Sequence, residues 1–481
     1  MSNELTPTAL TGSNTAKAIG VTIAAAVGGF LFGFDSSVIN GAVDSIEGQF
    51  HLSSFVTGFA VAVALLGCAV GAWYAGRLSD SWGRKPVMML GAVLFIVSSV
   101  GSGLAFSVWD LMLWRVIGGL GIGIASVIAP AYISEIAPTR MRGSLASMQQ
   151  LAITIGIFVA LLSDALLANT AGNASNTLYW GLEAWRWMFI VGVIPAVIYG
   201  ILSLLIPESP RFLVGRKRDK EAAYVLREVS AEAYPDEKVL EIRTTLRQES
   251  KASFADVRGP SFGLQPLVWV GILMAMFQQL VGINAIFYYS TTLWQSVGFS
   301  QSQSFTTSVI TSVINVGMTF VAILFVDRIG RRILLLVGSA GMFVSLLMAA
   351  IAFSQQVGTG TDVKLPNPWG VLALIGANLF VVFFAATWGP VMWVMLGEMF
   401  PNRMRTVALG LCTAVNWITN FGVTLAFPPL TRSVGLWLVY GIFAFFALLS
   451  YFFVKLRVPE TTGLSLEEMN GDVFSKTVSA A

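Results

Sequence analysis

Charge is scarce in this sequence. Asp, Glu, Lys and Arg make up 11% of its 481 residues, against about 25% in a soluble globular protein. What charge there is sits unevenly: 21 of the 55 charged residues fall between Pro207 and Arg258, leaving 34 for the other 429 positions. With 55% hydrophobic residues and a mean hydropathy of +0.74, stretches so long and so poor in charge are membrane spans rather than soluble cores. That excludes a nucleic-acid binder, a secreted disulfide scaffold and a disordered chain. Histidine is nearly missing too. The single His51 argues against His-based catalysis and reads as a polar loop residue. The two cysteines, Cys68 and Cys412, both lie in apolar runs, so no disulfide or metal framework is available. No cofactor, no metal and no enzymatic activity are expected. A net charge of +3 is too small to mark a partner. The N-terminus has Glu4 ahead of Lys17 and a first apolar run of about 25 residues. A signal peptide wants a basic start and a shorter apolar core, so an uncleaved first span is expected.

Apolar windows long enough to span a bilayer occur twelve times. The expected spans are 18–42, 55–77, 87–106, 109–133, 146–168 and 186–206, then 266–292, 303–326, 333–354, 369–395, 405–427 and 433–455. The fold class is therefore an all-α membrane protein with two six-helix halves, 18–206 and 263–457. A polar linker, 207–262, joins them, and 1–17 and 458–481 are tails. Within the linker, Arg216 to Arg258 intersperses Glu with Lys and Arg and has few turn residues, which predicts short solvated helices.

Lys and Arg cluster in alternate loops: Arg77, Arg84 and Lys85; Arg140 and Arg142; the linker; Arg328, Arg331 and Arg332; Arg403 and Arg405; Lys455 and Arg457. The other loops carry almost none, with Lys364 and Arg432 the exceptions. The positive-inside rule then puts the basic loops and both termini in the cytoplasm.

The two halves repeat each other. Gly83-Arg84-Lys85 is echoed by Gly330-Arg331-Arg332, Glu135 to Arg142 by Glu398 to Arg405, and Pro207-Glu208-Ser209 by Pro459-Glu460-Thr461. Three matching loops in the same order imply a duplicated six-span unit. Two parallel repeats with a site between them are the plan of a secondary transporter.

A charge in the middle of a span costs at least about 2.5–3.5 kcal/mol on insertion scales. Asp35 in the first span and Arg115 in the fourth are the two that sit well inside. From the helical rise, both lie roughly 7–9 Å from the span centre toward the same side, so they are expected to pair. Such a pair is either an ion pair that orients two helices or a carboxylate that loads and releases a proton, with Arg115 setting its affinity. The second half offers amides instead: Gln278 and Gln279, Asn315 and Asn416, with Trp417 and Trp393 nearby in sequence. Amides donate and accept without charge, and Trp faces suit the apolar C–H side of a sugar ring. Four amides near mid-span read as a site for a neutral polyhydroxylated ligand; the competing reading is interhelical glue. Gly282-Ile283-Asn284 and Gly389-Pro390 are expected to break the seventh and tenth spans, freeing backbone that lines a cavity and bends for gating.

From about Gly28 to Glu468 the sequence resembles the sugar porters of the major facilitator superfamily, and more narrowly the bacterial proton-coupled glucose permeases. The motifs are Gly33-Phe-Asp35, Arg115-Val-Ile-Gly-Gly119, Pro207-Glu-Ser-Pro-Arg211, Gln278-Gln-Leu-Val-Gly-Ile-Asn284, Trp388-Gly-Pro390 with Trp393, and Pro459-Glu-Thr461. The resemblance implies sugar contacts at Gln150, Gln278, Gln279, Asn284, Asn315, Trp393, Asn416 and Trp417, with Tyr288 closing the outer side. It implies cytoplasmic salt bridges among Asp80, Arg84, Glu135, Arg142, Asp327, Arg331, Glu398 and Arg405 that hold the outward-open state. Asp35 stands where animal facilitative carriers usually have a neutral residue, which favours proton symport. Ser81 replaces a commonly basic residue of the loop motif and weakens that latch. Ile157 replaces a glutamine of some pentose-transporting relatives and, with Asn416, tilts the substrate toward a hexose.

The expected function is thus proton symport of a monosaccharide, a hexose such as glucose, through the cytoplasmic membrane, by a monomer whose partners are sugar, proton and lipid bilayer. The alternatives are a facilitative uniporter, a proton-coupled pentose or inositol-like polyol carrier and, remotely, a non-transporting sugar sensor.

Overall fold

A computed structural model describes residues 12–136, 142–230, 232, 234–248, 254–357 and 364–460. The first half comprises α1 (Gly12–Phe50), α2 (Ser54–Trp82), α3 (Arg84–Gly103), α4 (Val108–Ile136), α5 (Arg142–Ala171), α6 (Ala184–Val191) and α7 (Val193–Leu205). The linker holds α8 (Pro210–Gly215), α9 (Asp219–Glu228) and α10 (Pro235–Gln248). The second half comprises α11 (Pro266–Leu280), α12 (Ile283–Tyr288), α13 (Ser290–Ser296), α14 (Gln301–Ile329), α15 (Arg331–Phe353), α16 (Trp369–Ala386), α17 (Trp388–Met399), α18 (Asn402–Val434) and α19 (Leu436–Arg457). Twelve helical segments among the described residues are long and apolar enough to cross a membrane.

Breaks within spans follow local chemistry. The sixth span splits at Gly192, three residues before Pro195, and the tenth at Thr387, three before Pro390. Proline lacks the N–H and its ring crowds the carbonyl four residues back. The seventh is interrupted at Gly282, whose φ of +84° is open to glycine at little cost, and again at Tyr289.

Several spans outrun their expected ends. The first extends to Phe50 rather than 42, so Asp44 and Glu47 lie on a helix and not in a loop. The eleventh runs through Pro428 and Pro429 to Val434 instead of stopping at 427; neighbouring helices re-satisfy backbone freed by proline. Two short hairpins, β1 (Thr177–Tyr179) with β2 (Leu182–Glu183) and β3 (Arg258–Gly259) with β4 (Gly263–Leu264), had no signal in the hydrophobic pattern. Their exposed tips, Trp180 and Phe262, rest on Trp187 and Trp269, as aromatic residues do at the headgroup level.

Helices approach closely where side chains are missing. A Cβ on Gly67 of α2 would lie 2.3 Å from the Val116 carbonyl, and one on Gly119 of α4 would lie 2.1 Å from that of Ala64. Small residues four apart let backbones touch, which drives association where lipid removes the hydrophobic gain. The halves meet through α2 on α18 and α5 on α14, with α1 reaching α12 and α13.

Candidate functional site

Asp35 and Arg115 come together inside the first half. Arg115 Nη1 donates to Asp35 Oδ1 at 3.3 Å, both side chains are buried, and Arg115 also lies over the Phe189 ring. They border a cavity of about 10 Å³, shared with Ser36, Cys68, Ile122 and Tyr288, room for roughly one water. Tyr288 is 4% exposed and its hydroxyl faces Asn420. It comes from the second half, so the acid is covered across the interface between the halves.

In the second half four amides form one network. Gln278 Nε2 donates to the Trp388 and Gly389 carbonyls, both at 3.2 Å, at the start of α17 just after the tenth span breaks. Asn416 Nδ2 donates to Gln278 Oε1 at 2.9 Å and to the Ala275 carbonyl at 3.0 Å. Gln279 Nε2 donates to Asn416 Oδ1 at 3.1 Å, and Asn284 Nδ2 to Gln279 Oε1 at 2.7 Å. The amides satisfy one another. A hydroxylated ligand can exchange these bonds one for one, whereas an apolar ligand leaves buried groups unpaired, at about 1–3 kcal/mol each.

The remaining expected contacts are more dispersed. Asn315 on α14 and Trp417 on α18 are buried; the Trp417 indole N–H has no hydrogen-bond partner among the described residues, and its ring meets Phe32 edge-on at 5.4 Å across the halves. Trp393 on α17 is 37% exposed and Gln150 on α5 half-buried, while Gln149 beside it is the more enclosed. Gly389 and Pro390 lie inside the first turn of α17, after the break.

The basic loops form two matching clusters. Arg84 makes a two-pronged contact with Glu135 at 2.8 and 3.1 Å and a 3.5 Å contact with Asp80. Arg331 does the same to Glu398 at 2.9 and 3.2 Å. Glu208 accepts from the Arg84 and Lys85 backbone N–H groups, and Glu460 from those of Arg331 and Arg332. The two glutamates thus cap α3 and α15, the role of an N-terminal anion. The Pro-Glu pairs Pro207-Glu208 and Pro459-Glu460 do not state this part, and their repetition after each half is the signal the sequence carries. Ser209 Oγ also donates to Glu135, and Arg405 Nε donates to the Phe400 carbonyl at 3.1 Å. The side chains of Arg142 and Asp327 lie outside the described residues.

These Arg–Glu pairs each stay within one half. Among the described residues, hydrogen bonds and an ion pair between the two halves lie at the distal end, opposite the basic loops. Asn40 donates to Thr291 Oγ1 at 2.8 Å and accepts from its N–H at 2.9 Å. Asp44 accepts from Thr292 and Gln295, both at 2.7 Å, and Arg432 pairs with Glu47. None of these had been singled out, although Arg432 had stood out as a basic residue on the wrong side. A further correction concerns charge depth. Asp164, placed near the end of an expected span, has no exposed surface at all, because α5 continues to Ala171.

Comparison with known proteins agrees with this plan. The family model described as "Sugar (and other) transporter" matches residues 21–473. The chain belongs to this sugar-transporter family. A glucose transport protein of Synechocystis is 48% identical over 446 residues, covering 92% of this chain and 95% of that protein. The proton:xylose symporter XylE bound to 6-bromo-6-deoxy-D-glucose superposes with a TM-score of 0.78 at 33% identity, covering 95% of this chain and 99% of that one. A partially occluded inward-open conformation of XylE from E. coli gives a TM-score of 0.80 at 32% identity, over 94% of this chain and 100% of the other. The fold is therefore that of the major facilitator superfamily, and the family is one of transporters rather than enzymes.

Proposed function

We propose that this protein carries a hexose such as glucose, together with a proton, across the cytoplasmic membrane by alternating access, as a monomer with both termini in the cytoplasm. The observation that carries the reading is the position of α12. Asn284, near its start, joins the amide network, and Tyr288, at its end, covers the Asp35–Arg115 cavity. A sugar that pulls on Asn284 moves Tyr288, which opens or closes water's access to Asp35. Asp35 takes up a proton when water reaches it and Arg115 restrains its affinity. The Synechocystis relative's name supports a hexose, and XylE's supports proton coupling. The basic loops support the orientation.

Uptake of labelled glucose into vesicles with an imposed inward proton gradient, competed by xylose, arabinose and inositol, tests this. Glucose uptake that a protonophore collapses, with weak competition by pentoses and inositol, is expected. Protonophore-insensitive equilibration makes the protein a uniporter, and stronger competition by a pentose or inositol replaces the substrate.

A further inference from the structure

Neither the amide network nor the Asp35 cavity uses the Asp164 carboxyl on α5. Among the described residues no side chain hydrogen-bonds either oxygen, and the polar backbone that comes nearest is that of Gly41 on α1. It packs against α1 and α6: a Cβ on Gly41 would fall 2.8 Å from Asp164 Oδ2 and 2.7 Å from Met188 Sδ. Burying a carboxylate without a cationic partner is costly.

Charges on the elements packed against it are engaged elsewhere. On α1, Asp35 is held by Arg115, Asp44 by Thr292 and Gln295, and Glu47 by Arg432 and Thr57. On α6, Arg186 donates to Glu183 and to the Gly103 and Ala105 carbonyls. On α4, Asp110 accepts from the Phe106 N–H, and Glu135 is held by Arg84 at the far end. On α14, Arg328 lies at the far end, and β1 carries no charged residue.

Gly41 stands directly after Asn40 and one turn before Asp44, the two α1 residues that bind α13 at the distal end. The stretch of α1 that seals that end therefore rests on the Asp164 carboxyl.

We propose that Asp164 is a second proton-binding site, separate from Asp35, whose protonated form lets α1 seat when the distal end closes. When that end opens, water reaches the carboxyl, its O–H bond breaks and the proton passes to water; on closure the bond re-forms with a proton from the same side. Binding and release on one side add nothing to the stoichiometry, but they make closure depend on pH. The proposal rests on the alternating access of the proposed function and not on proton coupling through Asp35.

Sugar exchange in proteoliposomes with equal pH on both faces tests it, because exchange needs closure but no gradient. In Asp35→Asn protein, where the coupling carboxyl cannot titrate, exchange should fall with rising pH by up to about tenfold per unit, the limit for one proton. Adding Asp164→Asn or the smaller Asp164→Ala, both permanently uncharged, should make exchange flat over that range, and adding Asp164→Glu should keep a fall. Infrared spectra of purified protein should show a buried protonated carboxyl band that persists in Asp35→Asn and is lost in Asp164→Asn and Asp164→Ala. An Asp35→Asn exchange rate independent of pH, an alkaline fall retained when either uncharged Asp164 variant is added to it, or no such band in Asp35→Asn protein overturns the proposal. If protonophores leave net uptake unchanged while the Asp164 variants still abolish the fall, the coupling at Asp35 fails and this site stands.

Discussion

Asn284 and Tyr288 lie one helical turn apart on α12, yet they serve different chemistry. Asn284 donates to Gln279 at 2.7 Å, and Tyr288 lines the cavity beside Asp35 and Arg115. Residues four apart share a helix face, so the six-residue α12, bounded by Gly282 and Tyr289, moves both together.

Replacing Gln279 or Asn284 with Ala removes a partner from the amide network and leaves another amide unpaired. Each should weaken glucose binding by about 1–3 kcal/mol, roughly five- to a hundredfold, in protein whose thermal unfolding is little changed. Calorimetry on purified protein measures this. Wild-type affinity in either variant removes that residue from the site.

The distal contacts should differ in weight. Arg432–Glu47 is half-exposed on the arginine side, and surface pairs contribute about 0–1 kcal/mol. Asn40–Thr291 is buried and two-way. Asn40→Ala should therefore raise labelling of a cysteine at Thr292 from the distal side severalfold, while Arg432→Ala should change it little. Equal effects would show that burial does not set the strength of this closure.

At the basic end, Glu398 is held by Arg331 of its own half. Neutralising it with Gln should loosen α17 from α15 and shift the population toward opening at the basic end, read as cysteine accessibility from the two faces. Unchanged accessibility excludes Glu398 from state control. Separately, Glu208→Ala removes the acceptor that caps α3 and should cost about 0.5–2 kcal/mol of stability, seen as a lower unfolding temperature in detergent. An unchanged temperature means that water replaces the cap.

The twelve spans were legible because hydrocarbon admits helices only when they are long and apolar, and their loops repeat in plain sequence. Asp35, Arg115 and the amides were legible because polar groups stand out inside such spans. The distal contacts were not. Asp44 and Glu47 looked like loop residues because polar composition marks where apolarity ends, whereas α1 continues to Phe50 by hydrogen bonds that composition does not report. Asp164 was passed over because it falls near the end of its expected span, whereas α5 continues to Ala171. The role of Glu208 depends on where α3 begins, a three-dimensional fact that the Pro-Glu-Ser triplet does not state. Nor does sequence reveal that Gln278, Gln279, Asn284 and Asn416 satisfy one another.

Sugar accumulation in Asp35→Asn vesicles tests the central claim most directly. A potential of 100 mV supplies roughly 2.3 kcal/mol per charge and a pH unit about 1.36 kcal/mol, so one proton per sugar sustains more than about tenfold accumulation. The account predicts that wild-type vesicles concentrate glucose beyond that level and lose it when a protonophore is added, while Asp35→Asn vesicles exchange glucose but never exceed the outside concentration. Accumulation by Asp35→Asn equal to wild type would contradict it.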